Sequence, residues 1–97
     1  MNLDTFKATL ARNEPPELSH ALRALWWDAK GDWSRAHSMV DDLETIDGMR
    51  VHAHLHRKEG DASNARYWYS RAGRPFCEDP LELEWEQLVG EFLAAPA

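Results

Sequence analysis

The sequence predicts an all-α protein: a stack of two helical hairpins closed at each end by a further helix, about six helices in all. Three observations carry this. The chain writes nearly the same phrase twice, Gly31-Asp32-Trp33-Ser34-Arg35-Ala36 and Gly60-Asp61-Ala62-Ser63-Asn64-Ala65, with the glycines 29 positions apart. A fixed offset between 20 and 50 residues marks stacked supersecondary repeats. Apolar residues also recur at i, i+3, i+4 and i+7 before and after each phrase, and no segment alternates with the period of two that a strand requires.

Helix one is expected over about 3 to 13, with Leu3, Phe6 and Leu10 on one stripe and Pro15-Pro16 as its stop. Helix two runs from about Glu17 to Lys30 on the stripe Leu18, Ala21, Leu22, Leu25, Trp26 and Ala29, and Gly31 ends it. Asp32 then caps helix three, about 33 to 44, which carries Trp33, Ala36, Val40 and Leu43 on one face. Asp47 is the expected cap of helix four, which holds Val51, Ala53, Leu55 and three histidines and reaches Lys58 before Gly60. Asp61 caps helix five, which ends at Gly73, and Asp79-Pro80 opens a last helix with the stripe Leu81, Trp85, Leu88, Val89 and Phe92. One domain over 1–97 follows, divided into an N-terminal capping helix (1–14), hairpin one (17–44), hairpin two (47–73) and a C-terminal capping helix (79–95).

Aligning the two glycines places Ala24 over Ala53 and Ala36 over Ala65. A small residue midway in the first helix, a glycine at the turn and an alanine five residues later resemble the tetratricopeptide repeat (TPR), although the interval here is 29 rather than about 34 residues and the usual proline after the second helix is missing after helix three. A closer resemblance, over roughly residues 20 to 90, is to a family of small uncharacterised proteins. It rests on the strings Ala36-His37, Val51-His52-Ala53-His54-Leu55-His56-Arg57-Lys58-Glu59-Gly60-Asp61 and Asn64-Ala65-Arg66-Tyr67-Trp68-Tyr69-Ser70-Arg71-Ala72-Gly73-Arg74-Pro75. That resemblance implies that the strings belong together, in a shared site or an unusual core, and implies no activity.

Composition narrows the function classes. Cys77 is the only cysteine, so an intrachain disulfide scaffold is excluded. The N-terminal stretch has neither the apolar run of a signal peptide nor a membrane-spanning segment, and the expected location is cytoplasmic. Net charge is −6, and every base precedes Glu78, whereas six acids and no base follow from Glu78 onward. Residues 50 to 74 carry six bases against Glu59 and Asp61. An acidic molecule is a poor nucleic-acid partner, while a local anionic ligand fits the basic segment.

His52 and His56 stand one helical turn apart, the spacing that lets two imidazoles meet one metal ion, and Glu59 lies a turn further on. His54 is on the opposite side of the same helix. Three readings stand side by side for the pair: structural histidines donating to backbone or hydroxyl groups, contacts to a polar ligand, and, as a weaker candidate, metal ligands with Glu59. If the hairpins stack, His37 converges with His52 and His56 beside Trp33, Tyr67 and Trp68, and Arg71 or Arg66 supplies charge for an anionic or planar ligand. Tyr67, Trp68 and Tyr69 are consecutive and cannot all face one direction, so at least one must meet solvent or a partner. Cys77 has no motif tying it to a base, and its acidic neighbours raise its pKa, so covalent catalysis has little support.

On the TPR register the inner face draws on Asp28 from helix two and Arg50, His54 and Arg57 from helix four, a mixed surface that favours an acidic partner. The leading expectation is therefore a non-catalytic binding or scaffold protein that takes a peptide or protein in a short helical groove, as a monomer or weak homodimer and without a cofactor. The acidic last helix is a candidate to close that groove from within. The alternative is a small-molecule or metal-binding, even enzymatic, pocket built from His37, His52, His56, Trp68 and neighbouring arginines.

Overall fold

The computed structural model describes residues 1–94, and within them six helices and no strand: α1 (Leu3–Thr9), α2 (His20–Ala29), α3 (Trp33–Ser38), α4 (Ile46–Lys58), α5 (Ala62–Arg71) and α6 (Leu81–Ala94). The final position of the expected 79–95 helix, Ala95, lies outside the described residues. The hairpins α2–α3 and α4–α5 are the most extensively packed neighbours, and α6 crosses α2 and α4 while α1 rests on α6.

The repeated phrase is a repeated backbone. Gly31 and Gly60 take φ of +83° and +86°, a left-handed turn that only glycine enters without a steric penalty. The amide of Gly31 donates to the Asp28 carbonyl and that of Asp32 to the Trp27 carbonyl; Gly60 and Asp61 repeat this with Arg57 and His56. The aspartate after each glycine then caps the next helix, Asp32 accepting from the Arg35 amide at 3.0 Å and Asp61 from the Asn64 amide at 3.1 Å. One Gly-Asp pair thus ends one helix and starts another. Ala24, Ala36, Ala53 and Ala65 are all fully buried, which lets the paired helices approach closely.

Helix boundaries depart from expectation where side chains from elsewhere intervene. α1 ends at Thr9, not near 13, because the Lys30 ammonium takes the carbonyls of Leu10 (2.7 Å) and Arg12 (2.9 Å) and Trp26 donates to the Thr9 hydroxyl. α2 starts at His20 behind a Ser19 cap. α3 stops at Ser38, whose hydroxyl donates back to the Arg35 carbonyl, and the chain continues in turns through Val40, Asp41 and Asp42, all weak helix formers. The cap of α4 is Thr45, which accepts from Gly48, and Asp47 sits inside the first turn. α6 begins one residue after Pro80.

The main core joins Phe6, Leu22, Leu25, Trp26, Val40, Val51, Leu55, Trp85, Leu88 and Val89. A second cluster, Ala53, Ala65 and Tyr69, lies between α4 and α5. The three consecutive aromatics separate as their geometry demands: Tyr69 is buried, Trp68 half-buried and Tyr67 exposed.

Candidate functional site

α4 presents histidines on two sides. Residues 52 and 56 share one face and residue 54 the other, because two positions on a helix turn the side chain by about 200°. All three are buried, and the tertiary structure gives the two faces different company.

On the first face His37, carried by α3, meets His52 and His56. The Nε2 atoms of His37 and His52 are 3.0 Å apart. One ring nitrogen from each of the three histidines falls within 4.8 Å of the others. Aromatic planes hold the rings: Trp33 stacks on His37 at 4.9 Å between centroids, and Trp68 stacks on His52 at 3.9 Å. Trp33 is itself oriented by donating from Nε1 to the Leu55 carbonyl at 2.8 Å. The Arg71 guanidinium lies over the outer face of this assembly, 5.0 Å from the Trp68 ring, and Tyr67 meets Trp68 edge-on at the rim.

Acidic groups stand only at the edge of this cluster, Glu59 and Asp61 beside His56 and Asp41 toward His52. Burial, then the neighbouring His37 and His56, lower the His52 pKa to about 4, against weaker opposition from Asp41 and the Val40 carbonyl. His52 is neutral at pH 7. Its Nδ1, and Nδ1 of His56, are buried without a hydrogen-bond partner. Glu59 brings a carboxylate oxygen to 3.5 Å from His56 Nδ1, outside hydrogen-bond geometry.

On the opposite face His54 bridges two carboxylates. Nδ1 faces Glu84 of α6 at 2.7 Å, and Nε2 faces Asp28 of α2 at 3.3 Å. Arg57 donates to the same Glu84 oxygen at 2.8 Å, Lys58 donates to Asp28 at 2.7 Å, and the Tyr69 hydroxyl donates to the second Glu84 oxygen. Burial pushes the His54 pKa down, but hydrogen bonds to Asp28 and Glu84 outweigh it and hold the imidazolium above its usual value. Burial likewise opposes charge on Asp28 and Glu84, and their partners, His54 foremost, bring both below the carboxylate range. The Tyr69 phenol is raised by burial and by Glu84.

Of the four residues read as a partner groove, Arg50, His54 and Arg57 bond to α6, while Asp28 bonds to His54 and Lys58 of α4 and lines a cleft. Arg50 pairs with Glu91 at 2.6 Å and Arg57 with Glu84, while Trp85 donates to the Leu25 carbonyl. A cleft of about 580 Å³ remains where α1, α2, α4 and α6 meet, with Asp28 and His54 at its floor and the Lys7–Glu86 pair across it. Cys77 sits beside Asp79, its thiol pKa raised by burial first and by Glu84.

Sequence reasoning missed Glu84, Tyr69 and Lys58 as members of the buried ionic network. A signal was present: Glu84 falls between Leu81, Trp85 and Leu88 on the apolar stripe of α6, and Asp28 extends the stripe of α2. A carboxylate on a buried stripe needs a cation, and His54, expected on the inner face beside Asp28, Arg50 and Arg57, was available to supply it.

Set beside protein-family models, curated proteins and solved structures, the chain has no match in any of the three.

Proposed function

We propose that the protein is a non-catalytic binding module built on two TPR-like hairpins, and that its ligand site is the His37–His52–His56 cluster with its tryptophan walls. The single observation that carries this reading is the convergence of three imidazoles with buried ring nitrogens that have no partner, at His52 and His56, inside the protein. Buried polar atoms are almost always satisfied, so an unpaired pair at one spot points to a ligand. The TPR-like part rests on the Gly-Asp turns and the four buried alanines.

Peptide binding on the concave face is the weaker reading. That face is covered by α6, and uncovering it would expose Trp85, Leu88 and Val89 at about 1.5–3 kcal/mol each. An acidic partner would also compete with Glu84 and Glu91 for Arg57 and Arg50.

A thermal-shift screen against divalent metals, planar anionic metabolites and acidic peptides tests the reading. A ligand at 100 times its dissociation constant adds about 2.7 kcal/mol, and a domain of this size gains roughly 4–8 °C per kcal/mol. The expected result is a shift that vanishes in His52→Gln. A peptide shift that survives His52→Gln and vanishes in Arg50→Ala would move the site to the concave face.

A further inference from the structure

We infer that His37, His52 and His56 form a three-histidine site for one divalent transition-metal ion of the zinc, cobalt, nickel and copper class, with the fourth position open on the His37 side. The inference rests on reading the histidine cluster as the ligand site, and it adds the chemistry of that ligand.

Geometry is the first argument. Imidazole nitrogens about 2.0–2.1 Å from a tetrahedral ion lie about 3.3–3.4 Å from one another. The His37–His52 nitrogen pair is already 3.0 Å apart, and all three histidines supply a nitrogen within 4.8 Å. The His37 and His52 rings are inclined at 86° with centroids only 4.6 Å apart, so the two nitrogens meet at an angle rather than head-on. Small side-chain rotations bring the set to coordination distance.

The support around the rings is the second. Trp33 and Trp68 clamp the planes of His37 and His52, which reduces the ordering that metal binding must impose. Glu59, whose carboxylate stands 3.5 Å from His56 Nδ1 without a hydrogen bond in the metal-free protein, reaches that nitrogen with a small side-chain rotation and would then fix the orientation of the ring. Glu59 is thus a positioning residue rather than a ligand. His52 and His56 are buried, and His37 is half-buried, which leaves a route for the ion and for a water molecule on it.

Proton accounting is simple. In the metal-free protein one N–H between the two Nε2 atoms satisfies that pair of nitrogens and leaves Nδ1 of His52 without a partner. On binding, tautomer exchange moves that proton to Nδ1 of the same ring and frees both Nε2 lone pairs for the ion, so the number of protons on the His37–His52 pair is unchanged. Imidazole without thiolate or a ligating carboxylate selects this group of metals over magnesium and calcium.

The test uses the purified full chain treated with chelator, titrated with Co(II) by absorption spectroscopy and with Zn(II) by calorimetry. The expected result is one ion per chain, an intense tetrahedral-type Co(II) visible spectrum, and no heat from Mg(II). His37→Gln, on the half-exposed ring, should weaken binding by at least about tenfold, as should His52→Gln and His56→Gln, while Glu59→Gln should cost roughly tenfold. His20→Gln, at an exposed position off the cluster, serves as the unaffected control. Circular dichroism on each variant separates lost ligation from lost fold, and His37→Gln keeps the test decisive if a buried variant unfolds. A weak octahedral Co(II) spectrum, or binding that persists in folded His37→Gln and His52→Gln, overturns the metal assignment. If metal binding fails while a metabolite shift still depends on His52, the cluster remains the ligand site and only its metal chemistry falls; if no ligand depends on His52, both readings fall together.

Discussion

The two sides of α4 place imidazoles in opposite electrostatic settings within one helical turn. His54 lies between Asp28 and Glu84, with Arg57 and Lys58 completing a network of two carboxylates and three cations. His52 and His56 lie among tryptophans and another histidine, with buried nitrogens unpaired. The difference separates two uses of a buried polar group. On the His54 side the polar atoms pair with one another and join α2, α4 and α6. On the His52 side Nδ1 of His52 and Nδ1 of His56 have no hydrogen-bond partner, and the ligand-site proposal rests on them.

The comparison breaks most visibly at Glu84. Glu84→Ala should cost about 3–5 kcal/mol, because it strands buried His54 and Arg57 without their carboxylate, and urea unfolding monitored by circular dichroism would measure it. A loss below about 1 kcal/mol would mean that the ionic side does not hold α6 in place.

Next in size is pH, where the two sides act with opposite sign in metal-free protein. His54 is held above its usual 6.5, so the native state binds that proton more tightly than the unfolded chain. Its contribution is complete below pH 6.5 and is lost as pH rises through the raised value. His52 is held down at about 4, so below 6.5 the unfolded chain takes up a proton that the native state refuses. Stability is lost from this source as pH falls from 6.5 toward 4, by about 1–3 kcal/mol. Melting temperatures across pH 4–9 should show His52→Gln flattening the acid limb and His54→Gln flattening the alkaline one. Below about pH 4.5 protonation of Glu84 and Asp28, whose pKa values are depressed, adds a further acid loss that His52→Gln leaves in place and His54→Gln reduces, because His54 is the foremost partner of both carboxylates.

A smaller effect is expected from His52→Gln at pH 8, about 1–2 kcal/mol, since the variant loses the Nε2 hydrogen bond to His37 and the stacking on Trp68 but leaves no charge unpaired. Denaturant midpoints would check it; a loss as large as that of Glu84→Ala would make the cluster structural. The smallest change belongs to Arg71→Ala, about 0.5–1 kcal/mol for removing a half-exposed cation from the Trp68 face, read from the same unfolding curves.

Much of this was legible before any coordinates. The Gly-Asp pairs announced both hairpin turns, since each residue type suits its backbone task. His52 and His56 announced a shared face through their spacing, and residues 67 to 69 announced an exposed aromatic. What was not legible came from contacts distant in sequence: Lys30 shortening α1, Thr45 rather than Asp47 capping α4, and Glu84 reaching His54 across 30 positions. Period and capping report on neighbours three or four residues away, whereas these contacts depend on how helices cross.

The sequence by itself determined the class of the fold, the two repeated turns and the face of α4 to which each histidine belongs, because backbone conformation and helical period are local properties. The sequence offered α6 as a closing helix and His37 as a partner of His52 and His56 only on the condition that the hairpins stack, and the tertiary structure decided that α6 packs across α2 and α4 and that the three histidines meet. Those outcomes depend on burying Trp85, Leu88 and Val89 against α2 and α4 and on the docking of α3 against α4, and the energy of such packing has no local signature.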